Sequence, residues 1–260
     1  MNQIYFSSTL MWNAPLPELF RAAREFQAEG IELWVQQFDS RGYREEECLS
    51  LLDRCPLPIF VHSKTWDLNF ASMNRRIRRA SLDEIRNSID LAAKLHAREL
   101  TVHPPRESLC GNRPLYQELA YQGLEEIFRY ATRSGVSVSL EMMEKIPKEI
   151  MTTPDDVREI TRGLYREFSY TVDVAHCDNE KELFNHLRDL PKVSKIHISN
   201  RRGATYHTLL SDGDFSFKRL WPALERSGCP MVIEGFDASG QYTMLRENMK
   251  YIQKLKENLQ

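Results

Sequence analysis

Ionisable side chains stand at the ends of six short apolar segments in this sequence. The six terminal residues are His62, His103, Glu141, Asp173, His197 and Glu234. Each of them directly follows a valine, a leucine or an isoleucine. At Asp173 the apolar run also continues beyond the ionisable residue. A buried carboxylate or imidazole is costly unless it is paired or bound to a cation. If the segments end at one place in the fold, a divalent metal ion would stabilise all of these groups together.

Histidines are concentrated around these segment ends. His176 and His207 follow the sixth and seventh of the predicted strands, which brings five of the seven histidines to this region. The other two, His96 and His186, fall within predicted helices. A single histidine at a strand end is more often structural, so the joint pattern with the acids carries the metal hypothesis. Its centre, made of two Glu, one Asp and one His, suits Mn, Mg, Co or Zn, and the extra histidines favour zinc.

The pattern that must position these groups is a strand followed by a helix, repeated eight times. Apolar, β-branched or aromatic runs predict strands near 3–8, 31–37, 57–62, 99–103, 136–141, 169–175, 193–198 and 230–234. Helical spacing fills the stretches between them. Such units at intervals of about 30 residues predict an α/β fold, a single (β/α)8 barrel over residues 1–260. All eight strands of a barrel point their carboxyl ends at one face, so the ionisable side chains would converge there.

Local signals predict where several helices begin and end. Ser81 with Glu84 fits a capping box, and Thr153 precedes a proline as an N-cap would. Left-handed C-caps are predicted at Gly30, Gly135 and Gly228.

Composition and missing motifs exclude several other classes of protein. No GxGxxG follows the first strand and no GxxxxGK[ST] occurs, which disfavours a dinucleotide fold or a P-loop NTPase. The net charge of −2 provides no overall basic field for nucleic acid. No secretory signal or membrane-spanning run is visible, and the five cysteines are scattered. We therefore expect a reduced, cytoplasmic protein that acts on a small molecule, with neither a nucleic acid nor a membrane as its partner.

Six segments carry a resemblance to a known family over nearly the whole chain. They are VHSKTWDLNFAS at 61–72, TVHP at 101–104, LEMM at 140–143, TVDVAH at 171–176, HISN at 197–200 and VIEG at 232–235. The chain resembles the xylose isomerase-like barrel superfamily, which includes sugar-phosphate isomerases and epimerases and the apurinic endonuclease family 2 enzymes. Barrels of this kind commonly associate, so a homo-oligomer is also expected.

The resemblance implies a ligand set and two chemistries. In the isomerases one metal is held by residues that match Glu141, Asp173, His197 and Glu234. Glu141 and Glu234 would also be the catalytic acid/base pair that isomerises a ketose through an enediolate. In the endonuclease branch three zinc ions are bound, and the additional ligands match His62, His103, His176 and His207. That branch also expects an Asp two residues before the last histidine, where this chain has Thr205, which puts the third metal in doubt.

Basic and aromatic residues beyond the strand ends are candidates for holding a substrate. Arg201 and Arg202 follow the seventh strand, where barrels often hold phosphate, while Lys64 and Arg106 follow the strands that end in histidine. Each of these charges alone is more typical of a solvated loop. The aromatic candidates for a pocket wall are Trp12, Trp66 and Phe236.

These observations favour a divalent-metal-dependent isomerase or epimerase of a small sugar, sugar phosphate or related keto-polyol. One metal ion is the first expectation, with two or three as the alternative. The alternative function is a multi-metal zinc hydrolase of the apurinic endonuclease type, because His62 and His103 exceed what a single metal requires. A sugar-binding barrel without turnover is a third hypothesis, although both glutamates are present.

Overall fold

Eight parallel strands close into a barrel in the computed structural model, which describes residues 3–257. The barrel strands are β1 (Ile4–Ser7), β2 (Gly30–Trp34), β3 (Ile59–His62), β4 (Leu100–Val102), β5 (Val138–Glu141), β6 (Ser169–Asp173), β7 (Val193–Ile198) and β10 (Met231–Ile233). Neighbours in sequence are neighbours in the barrel, and β1 pairs with β10 to close it. The predicted (β/α)8 barrel is therefore confirmed.

Helices surround the barrel and bury their apolar faces against it. They are α1 (Leu16–Glu25), α2 (Val35–Ser40), α3 (Glu45–Arg54), α4 (Arg75–Lys94), α5 (Arg113–Arg133), α6 (Pro154–Thr161), α7 (Glu180–Asp189), α8 (Phe217–Ser227) and α9 (Thr243–Glu257). In α1, for example, Leu16, Leu19 and Phe20 are buried, which is the predicted apolar face. Within residues 3–257 no helix is long and apolar enough to cross a membrane.

The strand register brings the predicted site residues to one level of the barrel. Trp34 at the end of β2 lies opposite His62, and Asp173 at the end of β6 lies opposite His197. Glu234 directly follows β10, and its backbone N–H donates to the carbonyl of Ile198 at 3.1 Å. Because parallel strands all end at the same rim, residues far apart in sequence meet in one cup.

The second strand differs from its prediction at both ends. It begins at Gly30 and ends at Trp34, and Val35 starts helix α2 instead of continuing the strand to 37. Gly30 is not a helix C-cap, because α1 ends at Glu25 and Gln27 adopts the left-handed conformation, with a φ of 53°. Gly30 is needed for another reason: a Cβ there would lie 2.2 Å from the carbonyl oxygen of Pro58.

Helix boundaries agree with the local signals in some places and differ in others. Thr153 caps α6 in a reciprocal capping box with Asp156, and Gly228 ends α8 with a φ of 71°. The box predicted at Ser81 is wrong, because α4 begins at Arg75 and its N-cap is Asn74. The Ser81 hydroxyl instead donates to a carbonyl one turn earlier in the same helix.

A small hairpin interrupts the barrel pattern after β7. Strands β8 (Asn200–Arg202) and β9 (Thr205–Thr208) pair antiparallel, and Gly203 has the positive φ of 56° that their tight turn uses. The Asn200 amide fixes the base of the hairpin, since it donates to the carbonyls of Leu210 and Phe215. This hairpin carries His207 back over the rim of the barrel.

Candidate metal centre and substrate cavity

Four side chains from four strands converge at the centre of the cup. One ligand atom from each of Glu141, Asp173, His197 and Glu234 lies within 4.8 Å of the others, and all four residues are buried. The Nδ1 atom of His197 is 2.7 Å from Glu234 Oε2 and 3.5 Å from Glu141 Oε1. The structure thus brings together the four residues that the sequence analysis proposed as the core ligand set.

The ligand atoms that face each other in this group lack hydrogen bonds. Glu141 Oε1, Asp173 Oδ2, His197 Nδ1 and Glu234 Oε2 are all buried without a hydrogen bond of acceptable geometry. Buried polar atoms are nearly always satisfied in proteins, so four such atoms at one point indicate a missing common partner. Three carboxylates and one imidazole fit a divalent cation in both charge and ligand type.

Glu141 also faces a pair of histidines on its other side. Its Oε2 atom is 3.3 Å from His62 Nε2 and 3.2 Å from His103 Nε2, and these three residues form a second group that could hold a metal ion. His62 is stacked on Trp34 with ring centroids 3.8 Å apart, which fixes the orientation of its ring. Glu141 therefore has the position of a carboxylate that could bridge two metal ions.

A third group lies on the opposite side of the centre. Asp173, His176 and His207 place one ligand atom each within 4.8 Å of one another. His176 Nδ1 is 2.9 Å from the carbonyl of Met142, which leaves its Nε2 as the free ligand atom. Thr205, which stands where the endonuclease branch expects an Asp, is exposed on the hairpin.

Burial and the neighbouring charges shift the pKa values of the ionisable groups in the cup. Burial disfavours charged His176, but the carboxylates of Asp173 and Glu141 outweigh burial and raise its pKa to about 9. Burial opposes ionised Glu141 as well, yet His103 and His197 keep its pKa well below the ordinary value. Burial dominates at Asp173 and raises its pKa to about 6. A divalent cation that binds here would displace the protons carried by these histidines and carboxylates, so its affinity would increase as the pH rises.

Below the four ligands lies a buried carboxylate that the sequence analysis did not single out. Glu32 on β2 places Oε2 at 3.0 Å from Nε2 of His197, although the angle falls short of a hydrogen bond. The Thr101 hydroxyl donates to its other oxygen at 2.7 Å. Burial alone would raise the pKa of Glu32, but His197 and the Lys195 ammonium lower it to about 2. Glu32 thus stays charged and faces the ring nitrogen of His197 that is turned away from the other ligands.

Lys195 completes this buried layer. Its ammonium is 2.7 Å from Glu99 and 3.9 Å from Glu32, and it lies 4.9 Å from the centroid of the Phe60 ring. The lysine is fully buried, and these partners offset the cost of burying its ammonium. A charge inside an otherwise apolar strand was the available sequence signal for both Glu32, in GIELW, and Lys195.

Above the ligands a cavity of about 370 Å³ opens to solvent. Its lining includes Glu141, Glu234, His176 and His207, with Trp34, Trp66 and Phe236 as an aromatic wall. Trp12 packs behind this wall, with ring centroids 5.2 Å from Trp66 and 5.3 Å from Phe236. Polar groups on one side and aromatic faces on the other suit the hydroxyls and the C–H face of a sugar.

The basic residues that were candidates for binding a substrate lie around the rim and have different partners. The Lys64 ammonium pairs with Asp39 and with Glu84, so its charge is already matched. Arg201 donates to the carbonyl of Cys177 and lies over the Tyr206 ring at 4.8 Å. Arg202 is exposed on the hairpin and pairs with Asp212, which lies beyond the end of β9. Neither Arg201 nor Arg202 lines the cavity above the ligands.

Comparison with known families accounts for this architecture, since residues 20–255 match the family described as xylose isomerase-like TIM barrel. The chain belongs to this family. The resemblance drawn from the six sequence segments is therefore confirmed.

Several known proteins resemble this xylose isomerase-like chain in structure or in sequence. The crystal structure of a D-tagatose 3-epimerase-like protein superposes with a TM-score of 0.82 at 22% identity, covering 100% of both chains. Endonuclease IV from Thermus thermophilus superposes with a TM-score of 0.73 at 14% identity, covering 97% of this chain and 99% of that one. Fructoselysine 3-epimerase of Shigella flexneri is 21% identical over 221 residues, which is 79% of each protein. The neighbours thus include both sugar epimerases and an endonuclease.

Proposed function

We propose that this protein is a divalent-metal-dependent epimerase or isomerase of a small sugar or related keto-polyol. The observation that carries the proposal is the position of Glu141 and Glu234 in one buried group, directly beneath a cavity of sugar size. Epimerases among the family's neighbours support the same class of reaction. A sugar phosphate remains within the proposed substrate range.

The two glutamates would act as the acid/base pair. A ketose whose carbonyl end lies at the floor of the cavity presents the proton on its adjacent carbon to one of the two carboxylates. That carboxylate removes the proton to give an enediolate and becomes a carboxylic acid. The other glutamate, in its protonated form, donates a proton on the opposite face or at the neighbouring carbon. Each carboxylate needs its charged form for one half of the reaction, and the neighbouring histidines stabilise that form at Glu141.

The remaining residues would hold the cation and the substrate. A divalent ion at the centre would supply a Lewis acid that polarises the substrate carbonyl. Asp173 and His197 fit the role of fixed ligands, because both are buried and neither faces open solvent. Trp66 and Phe236 would cover the apolar face of the sugar, and His176 would position a hydroxyl through its free Nε2.

Hydrogen exchange tests the acid/base assignment. We expect the metal-loaded protein to incorporate deuterium from D2O into both epimers of a ketose. Glu141→Gln and Glu234→Gln should each abolish incorporation into the epimer whose proton faces the missing carboxylate. Metal content is measured for each variant, so that loss of exchange is not confused with loss of metal. The exposed Glu159→Gln is the matched control and should exchange like the unaltered protein. A variant that still exchanges both epimers would refute the role of the altered glutamate.

A second candidate function has its own structural support. The groups around Glu141 and around Asp173 could hold two further metal ions, as a phosphodiester or amide hydrolase of the endonuclease type would need. Metal analysis of the purified protein separates the two functions. One tightly bound ion per chain supports the epimerase, whereas two or three support the hydrolase.

Association into a homo-oligomer and a cytoplasmic location stay predictions.

A further inference from the structure

A second cavity, of about 440 Å³, lies next to the one above the metal ligands. The two cavities share Trp66 and His103 in their walls. Beyond these two residues the second cavity is lined by the segment that follows β3 and by Arg106, Glu144 and Glu149. The proposed reaction at the metal centre uses none of these groups. The two cavities therefore adjoin at Trp66 and His103.

Glu149 is the most unusual group in this second cavity. Only 8% of the residue is exposed, yet no hydrogen bond or ion pair from residues 3–257 reaches its carboxylate. Its backbone is held firmly, because the Arg113 guanidinium donates to its carbonyl at 2.9 Å. Glu144, on the same wall, has an Oε2 atom that is buried without a hydrogen bond. The Glu144 Oε2 atom still has His176 Nε2 at 3.8 Å, so Glu149 is the buried carboxylate of this wall that lacks any partner among residues 3–257.

The net charge of the cavity wall is negative. Its acidic members are Asp67, Glu144 and Glu149, and its permanently basic members are Lys64 and Arg106. Lys64 is already matched by Asp39 and Glu84. His103, whose pKa the Glu141 carboxylate raises against burial, is likewise matched by Glu141 at 3.2 Å. Among the described residues of the wall, Arg106 is therefore the cation left to offset the acids. Burial, together with the negative charge of Glu144, raises the pKa of Glu149 to about 7. The cavity therefore favours a positively charged occupant and disfavours a phosphate.

We propose, resting on the epimerase function above, that the substrate is a ketose with a flexible arm whose protonated amine binds Glu149 in the second cavity. The sugar end lies over the metal ligands and the arm passes His103. An ammonium has three donors, which suits the Glu149 carboxylate, which has no partner among the described residues, and the Oε2 atom of Glu144 on the same wall, which lacks a hydrogen bond. A metal ion fits less well, since no metal-capable group among residues 3–257 includes Glu144 or Glu149.

Two matched ligands test the charge of the arm. Both are 1-amino-1-deoxy-fructose derivatives, one with a 5-aminopentyl arm and the other with a 5-hydroxypentyl arm on the nitrogen. They have equal length and both donate hydrogen bonds, so only the terminal charge differs. We expect the KM for the aminopentyl ligand to be lower by about tenfold, as for a buried charge-assisted hydrogen bond. Equal KM values would overturn the proposal.

Two variants test whether Glu149 is the residue that binds the amine. Glu149→Gln keeps the shape of the side chain, and we expect it to bring the ratio of the two KM values close to one. Glu159→Gln, on the exposed side of α6, should keep the ratio of the unaltered protein. A Glu149→Gln protein that still discriminates between the arms would refute the assignment, and thermal unfolding checks that the variant folds.

Calorimetric titration separates this proposal from the function on which it rests. If neither ligand nor any free ketose is turned over, the epimerase function fails, but the two dissociation constants can still be compared. Tighter binding of the aminopentyl ligand, lost in Glu149→Gln, supports the second cavity as a cation site. Equal binding of both ligands by the unaltered protein refutes it.

Discussion

Replacing Glu32 by glutamine is expected to weaken metal binding at the four-residue centre while the barrel stays folded. The carboxylate of Glu32 lies 3.0 Å from Nε2 of His197, the ring nitrogen on the far side from the ligand group. When Nδ1 binds a metal ion, Nε2 carries the proton, and a charged neighbour orients the ring and strengthens Nδ1 as a ligand. Glutamine keeps the size of the side chain and an acceptor for the Thr101 hydroxyl, but it removes the charge.

The magnitude follows from the role of such outer carboxylates. Losing one typically reduces metal affinity 10- to 100-fold, or about 1.4–2.7 kcal/mol. The buried Lys195 keeps its partner, because Glu99 lies 2.7 Å from its ammonium. Folding should therefore survive the substitution.

Calorimetric titration of the metal-free protein with Mn²⁺ and with Zn²⁺ measures the effect directly. Glu99→Gln is the matched control: it removes a buried carboxylate of the same layer that contacts Lys195 and not His197. We expect Glu99→Gln to lower the unfolding temperature without a comparable change in metal affinity. If Glu32→Gln binds both ions as tightly as the unaltered protein, Glu32 does not support His197 as a ligand.

Three further predictions concern folding and pH. Gly30→Ala should lose about 1–3 kcal/mol of unfolding free energy or more, because the new Cβ would lie 2.2 Å from the carbonyl oxygen of Pro58. Gly163→Ala, where nothing lies within 4 Å, is its control and should be nearly neutral in denaturant unfolding. Thr153→Ala should cost about 1 kcal/mol by removing the cap of α6, and an unchanged denaturation midpoint would contradict that role. The raised pKa of Glu149, about 7, stabilises its neutral form, so its contribution to stability is present below the ordinary value of 4.5 and is lost as the pH rises through 7. Glu149→Gln should therefore gain stability relative to the unaltered protein over this pH range, and parallel pH profiles of the two proteins would refute it.

The sequence was sufficient to predict the barrel and the residues of its centre. Strands that are buried on both faces have nearly continuous apolar sequences. A single ionisable residue near the end of such a sequence, as at Glu141 and Asp173, is therefore easy to recognise. Because every barrel strand points the same way, no knowledge of pairing was needed to expect these ends to meet. The boundary errors occurred where local signals competed with packing, as at Ser81, which resembles a cap but lies inside α4.

Only the tertiary structure decided which groups contact each other across the barrel. The contact between Glu32 and His197 joins residues 165 positions apart on strands that are not neighbours, and no local pattern encodes it. The same is true of the second cavity, where Glu149 comes from the segment after β5 and Arg106 from the segment after β4. Sequence periodicity specifies the face and the end of a strand on which a side chain lies. The distances between strands depend on the closure of the whole barrel, and those distances determine which carboxylates find partners and which remain free for a ligand.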